Sequence, residues 1–174
     1  ENIKTKEYEI TDITSKVYTR NPSGPFTTST LQQSASSKLG FGASRTMQIA
    51  QRLYQGIDIE GDTIGLITYM RTDGTNISND AILDFRAYIQ NNFGKEYLPT
   101  EPFNYSGKKA KNAQEAHEAI RPTDFSVNQH GGKPEEDKLY SLIWKRAIAS
   151  QMSDARLQKT TVTIDISGSI ELFV

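Results

Sequence analysis

Residues 21–25 read Asn-Pro-Ser-Gly-Pro, and this break constrains the fold more than any other stretch of the chain. Two prolines and a glycine within five residues cannot continue a strand, because proline fixes φ and lacks a backbone N–H. Before the break, apolar residues recur irregularly from Tyr8 to Tyr18 among threonines and charges, which predicts one strand with a bend or bulge. We therefore expect residues 1–24 to form a separate β segment.

The far end of the chain predicts β structure again. Apolar and polar residues alternate on both sides of a Ser-Gly-Ser turn, which favours a hairpin at residues 157–174. The apolar positions are Val162, Ile164 and Ile166, then Ile170, Leu172 and Val174. The sequence starts at Glu1 without methionine and stops at Val174 within a predicted strand, which suggests a piece of a longer protein.

Between these ends the sequence predicts helices. Thr28 or Ser29 can cap a helix that runs to about Leu39, and Ser44 can cap a second that runs to about Gln55. Gly40 and Gly56 are the predicted C-terminal stops. Two helices across a short glycine-containing turn are typical of a helix-turn-helix, and a strand predicted from Ile64 to Tyr69 would make the unit a winged helix.

Two further helices complete the middle of the chain. One is capped by Ser78 and closed by Gly94, and the longest is opened by Pro134. The predicted fold class is mostly α with flanking β. Residues 25–156 would form a helical, winged-helix-like (CAP-like) domain, inserted between strands of a truncated β domain.

Residues 67–73 read Ile-Thr-Tyr-Met-Arg-Thr-Asp and contain the candidate nucleophile of the chain. In an extended backbone, Tyr69, Arg71 and Asp73 would project from one face, with Thr68 and Thr72 on the other face in structural roles. A tyrosine hydroxyl is a poor nucleophile at neutral pH, since the ordinary pKa of tyrosine is about 10. A neighbouring cation can favour the phenolate and clamp a phosphate, so this face could attack and hold a phosphate. An isolated Tyr-x-Arg is usually an ordinary strand end, and the spacing alone does not decide between the two.

The amino-acid composition excludes several kinds of metal and redox site. The absence of cysteine excludes disulfides and thiolate metal sites, and two histidines are too few for a His-rich zinc site. The acids Asp58, Glu60 and Asp62 alternate before the Tyr69 stretch, but a solvated acidic loop is a better interpretation than a metal site. No run of eighteen apolar residues is present, so we predict no membrane span. The net charge of -1 restricts any nucleic-acid contact to a local basic groove.

Three blocks, in order, resemble type IA DNA topoisomerases, the bacterial enzymes of that family in particular. The central block is residues 67–73, preceded by a helix that ends in Leu-Tyr at residues 53–54. The upstream block is residues 25–33 (PFTTSTLQQ), and the downstream block is residues 114–122 (QEAHEAIRP). The sequence departs from the family at Gly74, where the bacterial enzymes usually carry serine.

The resemblance implies a fold, a reaction and a set of roles. A Tyr-bearing domain would hang by two strands from a β arch, here residues 1–24 and 157–174. Tyr69 would become linked to the 5′-phosphate of single-stranded DNA, which relaxes negative supercoils without ATP. Arg71 would stabilise charge on the phosphate, His117 would hydrogen-bond it or protonate the leaving group, and Asp73 would orient Arg71 or a water.

The resemblance also implies partners that lie outside this sequence. Mg²⁺ would be bound by an acidic N-terminal domain of the intact enzyme, with no metal site in these residues, so we expect the 174-residue chain alone to be inactive. The expected location is the cytoplasm, on the chromosome. The candidate DNA-binding residues are Lys38, Arg45, Arg52, Lys108, Lys109, Lys111 and Arg121, although Arg121 could instead bridge to a carboxylate. His117 is placed in a short helical turn ending before Pro122, and His130 is assigned to the surface.

Two other classes of protein fit part of the pattern. A non-enzymatic winged-helix DNA-binding module would need the helical hairpin but not Tyr69. A tyrosine recombinase needs a His-x-x-Arg box before a C-terminal tyrosine, whereas here His117 and Arg121 follow Tyr69 at a different spacing. Order and spacing therefore exclude the recombinase.

Overall fold

The computed structural model describes residues 7–59, 62–105, 117–127 and 132–166. Within these residues the α-helices are α1 (Thr28–Leu39), α2 (Ala43–Gln55), α3 (Asn79–Asn92) and α4 (Pro134–Ala149), and the strands are β1 (Tyr8–Arg20), β2 (Ile57–Ile59), β3 (Asp62–Ile64) and β4 (Ala155–Ile166). The chain divides into two compact units, Glu1–Asn21 with Asp154–Val174, and Pro22–Ser153.

The first unit is a two-stranded antiparallel ribbon of β1 and β4. Its register shifts between Ile10 and Asp12, which is the bulge that the irregular apolar spacing of this strand predicts. After the shift Ile13 pairs with Val162, so the bulge keeps Ile13 on the same face as Ile10. The second arm of the hairpin predicted at residues 157–174 lies outside the described residues.

In the second unit α1 and α2 form the predicted helical hairpin, with different caps. Thr27, not Thr28 or Ser29, caps α1: its Oγ1 accepts a hydrogen bond from the Thr30 amide, and the Thr30 hydroxyl accepts one from the Thr27 amide. Gly40 ends α1 at φ 71°, a left-handed conformation that glycine adopts without strain. Gly42, not Ser44, is the residue at the N-cap of α2.

Helices α1, α2 and α4 enclose the main core. Its fully buried side chains are Phe26, Leu31, Ile49, Leu53, Ile67, Ile120, Leu139, Tyr140 and Ile143. Tyr140, which the apolar pattern does not single out, is satisfied there because its hydroxyl donates to the Val127 carbonyl at 2.6 Å. A second cluster joins α3 to the end of α4 through Phe85, Ile89, Phe125, Ala147 and Ile148.

The strand predicted from Ile64 to Tyr69 is wrong. Strand β3 ends at Ile64 and pairs with β2 in a short antiparallel hairpin that directly follows α2. Asp58 and Asp62 therefore belong to a hairpin and not to an irregular loop, while Glu60 lies outside the described residues. After Gly65 the chain forms an isolated bridge at Ile67, so tertiary contacts fix the Tyr69 stretch.

The third and fourth helices follow the predicted signals. Ser78 caps α3, its hydroxyl accepting from the Ala81 amide, and the helix ends just before Gly94. Pro134 occupies the first turn of α4, the longest of the described helices. No helix among the described residues is long and apolar enough to cross a membrane.

Candidate active site

The backbone that carries Tyr69 is held on one side by Thr28, at the start of α1. The Thr28 hydroxyl lies 2.8 Å from the Met70 carbonyl and 3.0 Å from the Thr72 carbonyl, and it accepts a hydrogen bond from the Thr72 amide at 2.9 Å. The Thr28 amide donates to the Thr72 carbonyl at 2.8 Å. One threonine thus fixes the main chain on both sides of Arg71.

On the other side the same backbone pairs with residues 119–123. The Thr68 hydroxyl donates to the Ala119 carbonyl at 2.7 Å and accepts from the Arg121 amide at 3.0 Å, while the Thr68 amide donates to the Arg121 carbonyl. An isolated antiparallel bridge joins Ile67 to Pro122. The Thr68 hydroxyl therefore adds to the short stretch of backbone pairing between these two segments.

Side chains alternate along the stretch although it is not a strand. Met70 and Thr72 point into the protein and are 1% and 7% exposed, whereas Arg71 and Asp73 are exposed and Tyr69 is half-buried. The three polar side chains thus share the outer side of this segment. The extended-chain argument predicts that arrangement, and the threonine contacts produce it.

The Tyr69 ring lies between two aromatic rings. Its centroid is 5.0 Å from the ring of His117, with the planes at 58°, and 5.4 Å from the ring of Tyr54, with the planes at 69°. The Tyr54 contact is edge-to-face, a favourable arrangement for aromatic pairs. These neighbours limit where the Tyr69 hydroxyl can point.

His117 does not lie in a helical turn, so that prediction is wrong. Residues 117–119 are irregular, because their backbone groups bond to other segments: the Ala119 amide donates to the Asn76 carbonyl, and the His117 carbonyl accepts from the Thr72 hydroxyl at 3.1 Å. Gly74 lies against the same carbonyl, since a Cβ added at Gly74 would be 2.2 Å from the His117 oxygen. His117 itself is exposed beside Tyr69.

The candidate arginines differ in their partners. Within the described residues Arg71 forms no ion pair. The other three candidate arginines each form one: Arg45 with Glu135, Arg52 with Glu136 and Arg121 with Glu118. The Arg121 side chain is 13% exposed and also donates to the Pro122 carbonyl. Of the two predicted possibilities for Arg121, the carboxylate bridge is the one present in the structure.

The pair between Arg52 and Glu136 joins α2 to the first turn of α4. Burial acts to raise the pKa of Glu136, but hydrogen bonds from Arg52 and from the Lys133 amide, with the charges of both residues, lower that pKa overall. The Arg52 Nε to Glu136 Oε1 distance is 2.7 Å. Arg52 thus uses its Nε for this carboxylate, and its side chain remains 39% exposed.

The other predicted basic residues are spread along the chain. Lys38 is exposed in the last turn of α1. Lys108, Lys109, Lys111 and His130 lie outside the described residues. The structure thus brings Tyr69, Arg71, Asp73 and His117 into one region. Of the described basic residues, Arg121 adjoins this region, because its amide donates to the Thr68 hydroxyl.

The sequence does not show the part that two side chains play in this region. The sequence predicts Tyr54 at the end of a helix, but it is 41% exposed and its ring contacts Tyr69. Thr28 was considered only as a cap, although its main contacts are with residues 70 and 72. Periodicity points to neither role, since both contacts join distant parts of the sequence.

No set of three histidine, cysteine, aspartate or glutamate side chains that could hold a metal ion occurs in the part of the chain that the structure describes. Asp73 thus has no companion ligands among these residues.

Comparison with known proteins agrees with the three sequence blocks. The family model for DNA topoisomerase matches residues 1–173. The chain is 54% identical over 158 residues to DNA topoisomerase 1 of Rickettsia felis, covering 88% of this chain and 20% of that protein, and 47% identical over 165 residues to DNA topoisomerase 1 of Escherichia coli K12, covering 93% and 18%.

A solved structure shows the same arrangement of the chain. Full-length topoisomerase I from Thermotoga maritima matches with a TM-score of 0.73 and 39% identity, over 91% of this chain and 25% of that one. The chain therefore belongs to the bacterial type IA DNA topoisomerases. It spans about a fifth of the length of the curated relatives it matches.

Proposed function

We propose that this chain is the nucleophile-bearing part of an enzyme that cleaves and rejoins single-stranded DNA through Tyr69. The observation that carries the proposal is the half-buried Tyr69 ring, in contact with two aromatic rings, beside an exposed Arg71 that has no carboxylate partner among the described residues. A phenol and an exposed guanidinium on one surface suit attack on a phosphodiester. Membership of the family supports the same reaction.

The reaction is a transesterification that conserves the number of phosphoester bonds. The Tyr69 Oη loses its proton and forms a bond to phosphorus, and the bond from phosphorus to the 3′-oxygen of the neighbouring nucleotide breaks. That 3′-oxygen leaves with a proton, while the 5′-phosphate remains on Tyr69. After another strand passes through the gap, the 3′-hydroxyl attacks the phosphotyrosine and restores the DNA, so ATP is not consumed.

Three neighbouring side chains would assist the reaction of Tyr69. Arg71 would bind the non-bridging phosphate oxygens and stabilise the negative charge that grows on them in the transition state. His117, exposed next to the Tyr69 ring, would hydrogen-bond the scissile phosphate or donate the proton to the leaving 3′-oxygen. Asp73 would orient Arg71 or a water from the same outer side of the segment.

The remaining requirements would be met outside this chain. We expect Mg²⁺ to be held by an acidic N-terminal domain of the intact enzyme, where it would supply charge neutralisation near the cleaved DNA. The ribbon of β1 and β4 would connect the Tyr-bearing unit to the rest of a β arch. The isolated chain would then be inactive in relaxation, and the intact enzyme would work in the cytoplasm on the negatively supercoiled chromosome.

Contacts to DNA would come from an exposed lysine and from arginines that exchange partners. Lys38 is available in the structure, whereas Arg45 and Arg121 would have to leave Glu135 and Glu118 to bind phosphate. Lys108, Lys109 and Lys111 would add a sequence-independent contact. Such contacts would position the strand and would not select its sequence.

Adduct formation in the full-length protein tests the proposal. With Mg²⁺ and a single-stranded oligonucleotide, denaturation should leave DNA covalently bound to the unaltered protein and to the control Tyr88→Phe, but not to Tyr69→Phe. Tyr88 packs against Phe93 and Trp144, away from Tyr69, so it controls for the loss of a hydroxyl. An adduct on Tyr69→Phe would contradict the proposal.

A non-enzymatic DNA-binding module is the second candidate. The helical hairpin of α1 and α2 is followed by the β2–β3 hairpin, the order of elements in a winged helix. In that case Tyr69→Phe would leave the whole function intact, and binding without any adduct would be the result. The adduct assay therefore separates the two candidates.

A further inference from the structure

We propose that Thr72 is a positioning residue for His117, acting through the His117 main chain. The inference rests on the proposed function, because it assigns His117 a task that Thr72 supports. Thr72 is not itself a catalytic residue here, since its side chain is 7% exposed and points into the protein. It determines where the His117 ring stands relative to Tyr69.

The Thr72 hydroxyl is both a donor and an acceptor. It donates to the His117 carbonyl at 3.1 Å and accepts from the Gly74 amide at 2.9 Å. The Gly74 amide cannot accept the single hydroxyl proton, whereas the His117 carbonyl can. The proton is thereby aimed at the His117 carbonyl.

Thr72 is itself firmly held. Its amide donates to the Thr28 hydroxyl at 2.9 Å, and its carbonyl accepts from the Thr28 amide at 2.8 Å. The start of α1, the Thr72 backbone and the Thr72 hydroxyl thus form a continuous path of hydrogen bonds to His117. Tyr69 belongs to the same segment, so one piece of backbone sets both the nucleophile and the His117 carbonyl.

His117 needs such a contact because the described chain around it is irregular. The amides of Ala119 and Ile120 are bonded to Asn76 and Phe26, which fixes the chain after His117. Among the described residues, the Thr72 hydroxyl is the group that bonds the His117 carbonyl. Removing it would free the peptide that orients the His117 ring while leaving the following residues in place.

The contact is also closely packed. Gly74 approaches so near that an added Cβ would stand 2.2 Å from the His117 oxygen and 3.2 Å from the Thr72 hydroxyl oxygen. Glycine at this position therefore allows the short distance between residues 72–74 and His117. A side chain there would push the same carbonyl that Thr72 holds.

A double-mutant cycle in the full-length protein with Mg²⁺ separates positioning from ordinary stabilisation. The bond runs to a backbone carbonyl, which His117→Ala retains, so Thr72→Val removes the same hydrogen bond in either background. We expect Thr72→Val to slow adduct formation about tenfold in the unaltered protein and less than about twofold in His117→Ala, because removing the ring leaves nothing to misplace. Thr72→Val should lower the unfolding temperature equally in both backgrounds. Thr72→Ser, which keeps the hydroxyl, should form the adduct at the rate of the unaltered protein.

The outcomes distinguish this inference from the proposed function. An equal slowing by Thr72→Val in both backgrounds, or no slowing in either, would overturn the positioning role and leave the function of Tyr69 untouched. An unchanged rate in His117→Ala would overturn the role of His117 together with this inference. If Thr72→Val does not fold, Gly74→Ala enters the same cycle, since its Cβ displaces the same carbonyl and the same expectations apply.

Discussion

The ring of Tyr69 stands 5.0 Å from the ring of His117, and two separate stretches of the chain are bonded together to keep it there. Thr68 and Thr72 donate through their hydroxyls to the carbonyls of Ala119 and His117. These side-chain bonds supplement the backbone bonds between the two stretches, such as that from the Thr68 amide to the Arg121 carbonyl. The arrangement leaves the outer side of the segment to Tyr69, Arg71 and Asp73.

Arg71→Ala should slow DNA cleavage by the full-length protein about a hundredfold or more without lowering its unfolding temperature, because Arg71 is exposed and would act only on the charged transition state. Arg156→Ala is the matched control, since Arg156 is also exposed but lies in β4, in the unit that does not carry Tyr69. We expect that control to change the cleavage rate less than about threefold, because an exposed substitution with no special contact has a small effect. Equal effects of the two substitutions in a single-turnover assay would contradict the role of Arg71.

The pair of Arg52 and Glu136 makes stability depend on pH. The pKa of Glu136 is lowered below 4.5 in the folded protein, so the folded state favours the ionised carboxylate. Its contribution to the free energy of unfolding should be fully present above about pH 4.5 and be lost as the pH falls through the lowered folded value. Urea unfolding of the 174-residue chain and of Glu136→Gln, compared from pH 7 to pH 3, measures this difference.

The difference in the free energy of unfolding between the chain and Glu136→Gln should shrink towards acid pH. A difference that is constant over the whole range would show that ionisation of Glu136 is not involved.

Arg52→Ala should destabilise the chain by about 2 kcal/mol at pH 7, because it leaves a buried carboxylate without its main partner.

Tyr54→Ala should slow adduct formation several-fold, since it removes the edge-to-face contact that limits the Tyr69 ring, whereas Tyr54→Phe should not. Such a ring contact is worth about 1 kcal/mol, which corresponds to roughly fivefold in rate if it acts on the reacting geometry alone. The rate of adduct formation, compared between Tyr54→Ala and Tyr54→Phe, measures this effect. A loss of activity in Tyr54→Phe would mean that the Tyr54 hydroxyl, and not its ring, is required.

Gly74→Ala should lower the unfolding temperature, because its Cβ meets the His117 carbonyl at 2.2 Å and the backbone must move. We expect the free energy of unfolding to fall by about 1–3 kcal/mol, the usual range when a side chain is added to a well-packed site. Gly42→Ala is the control: nothing lies within 4 Å of a Cβ there, and φ is -65°, so only a small effect on the α2 cap is expected. Equal unfolding temperatures for the two variants would contradict the close approach.

The local signals in the sequence predicted the helices well. The cap at Ser78, the start of α4 at Pro134, the stops at Gly40 and Gly56 and the bulge in the first strand all depend on neighbouring residues, and the structure has each of them. Thr27 caps α1 in place of the predicted Thr28 or Ser29, because four consecutive hydroxyl residues offer competing caps. Such shifts of one residue are a normal feature of helix ends.

The region around Tyr69 could be predicted only in part. Alternation of side chains was visible in the sequence, but the strand from Ile64 to Tyr69 was wrong because the apolar run gives no sign that its partners are Thr28 and residues 119–123. His117 was misplaced in a helical turn for the same reason. Arg121 pairs with Glu118, which is one of the two possibilities that charge alone leaves open, and its contact with phosphate stays a prediction.

The most direct measurement is the identity of the tyrosine that carries DNA. Full-length protein with Mg²⁺ is mixed with a single-stranded oligonucleotide labelled at the 3′ end or at the 5′ end, then denatured, digested and mapped. We predict that only the 3′ label stays on the protein, on the peptide that contains Tyr69, and that Tyr69→Phe abolishes it. A label on another of the eight tyrosines, or retention of the 5′ label, would contradict it.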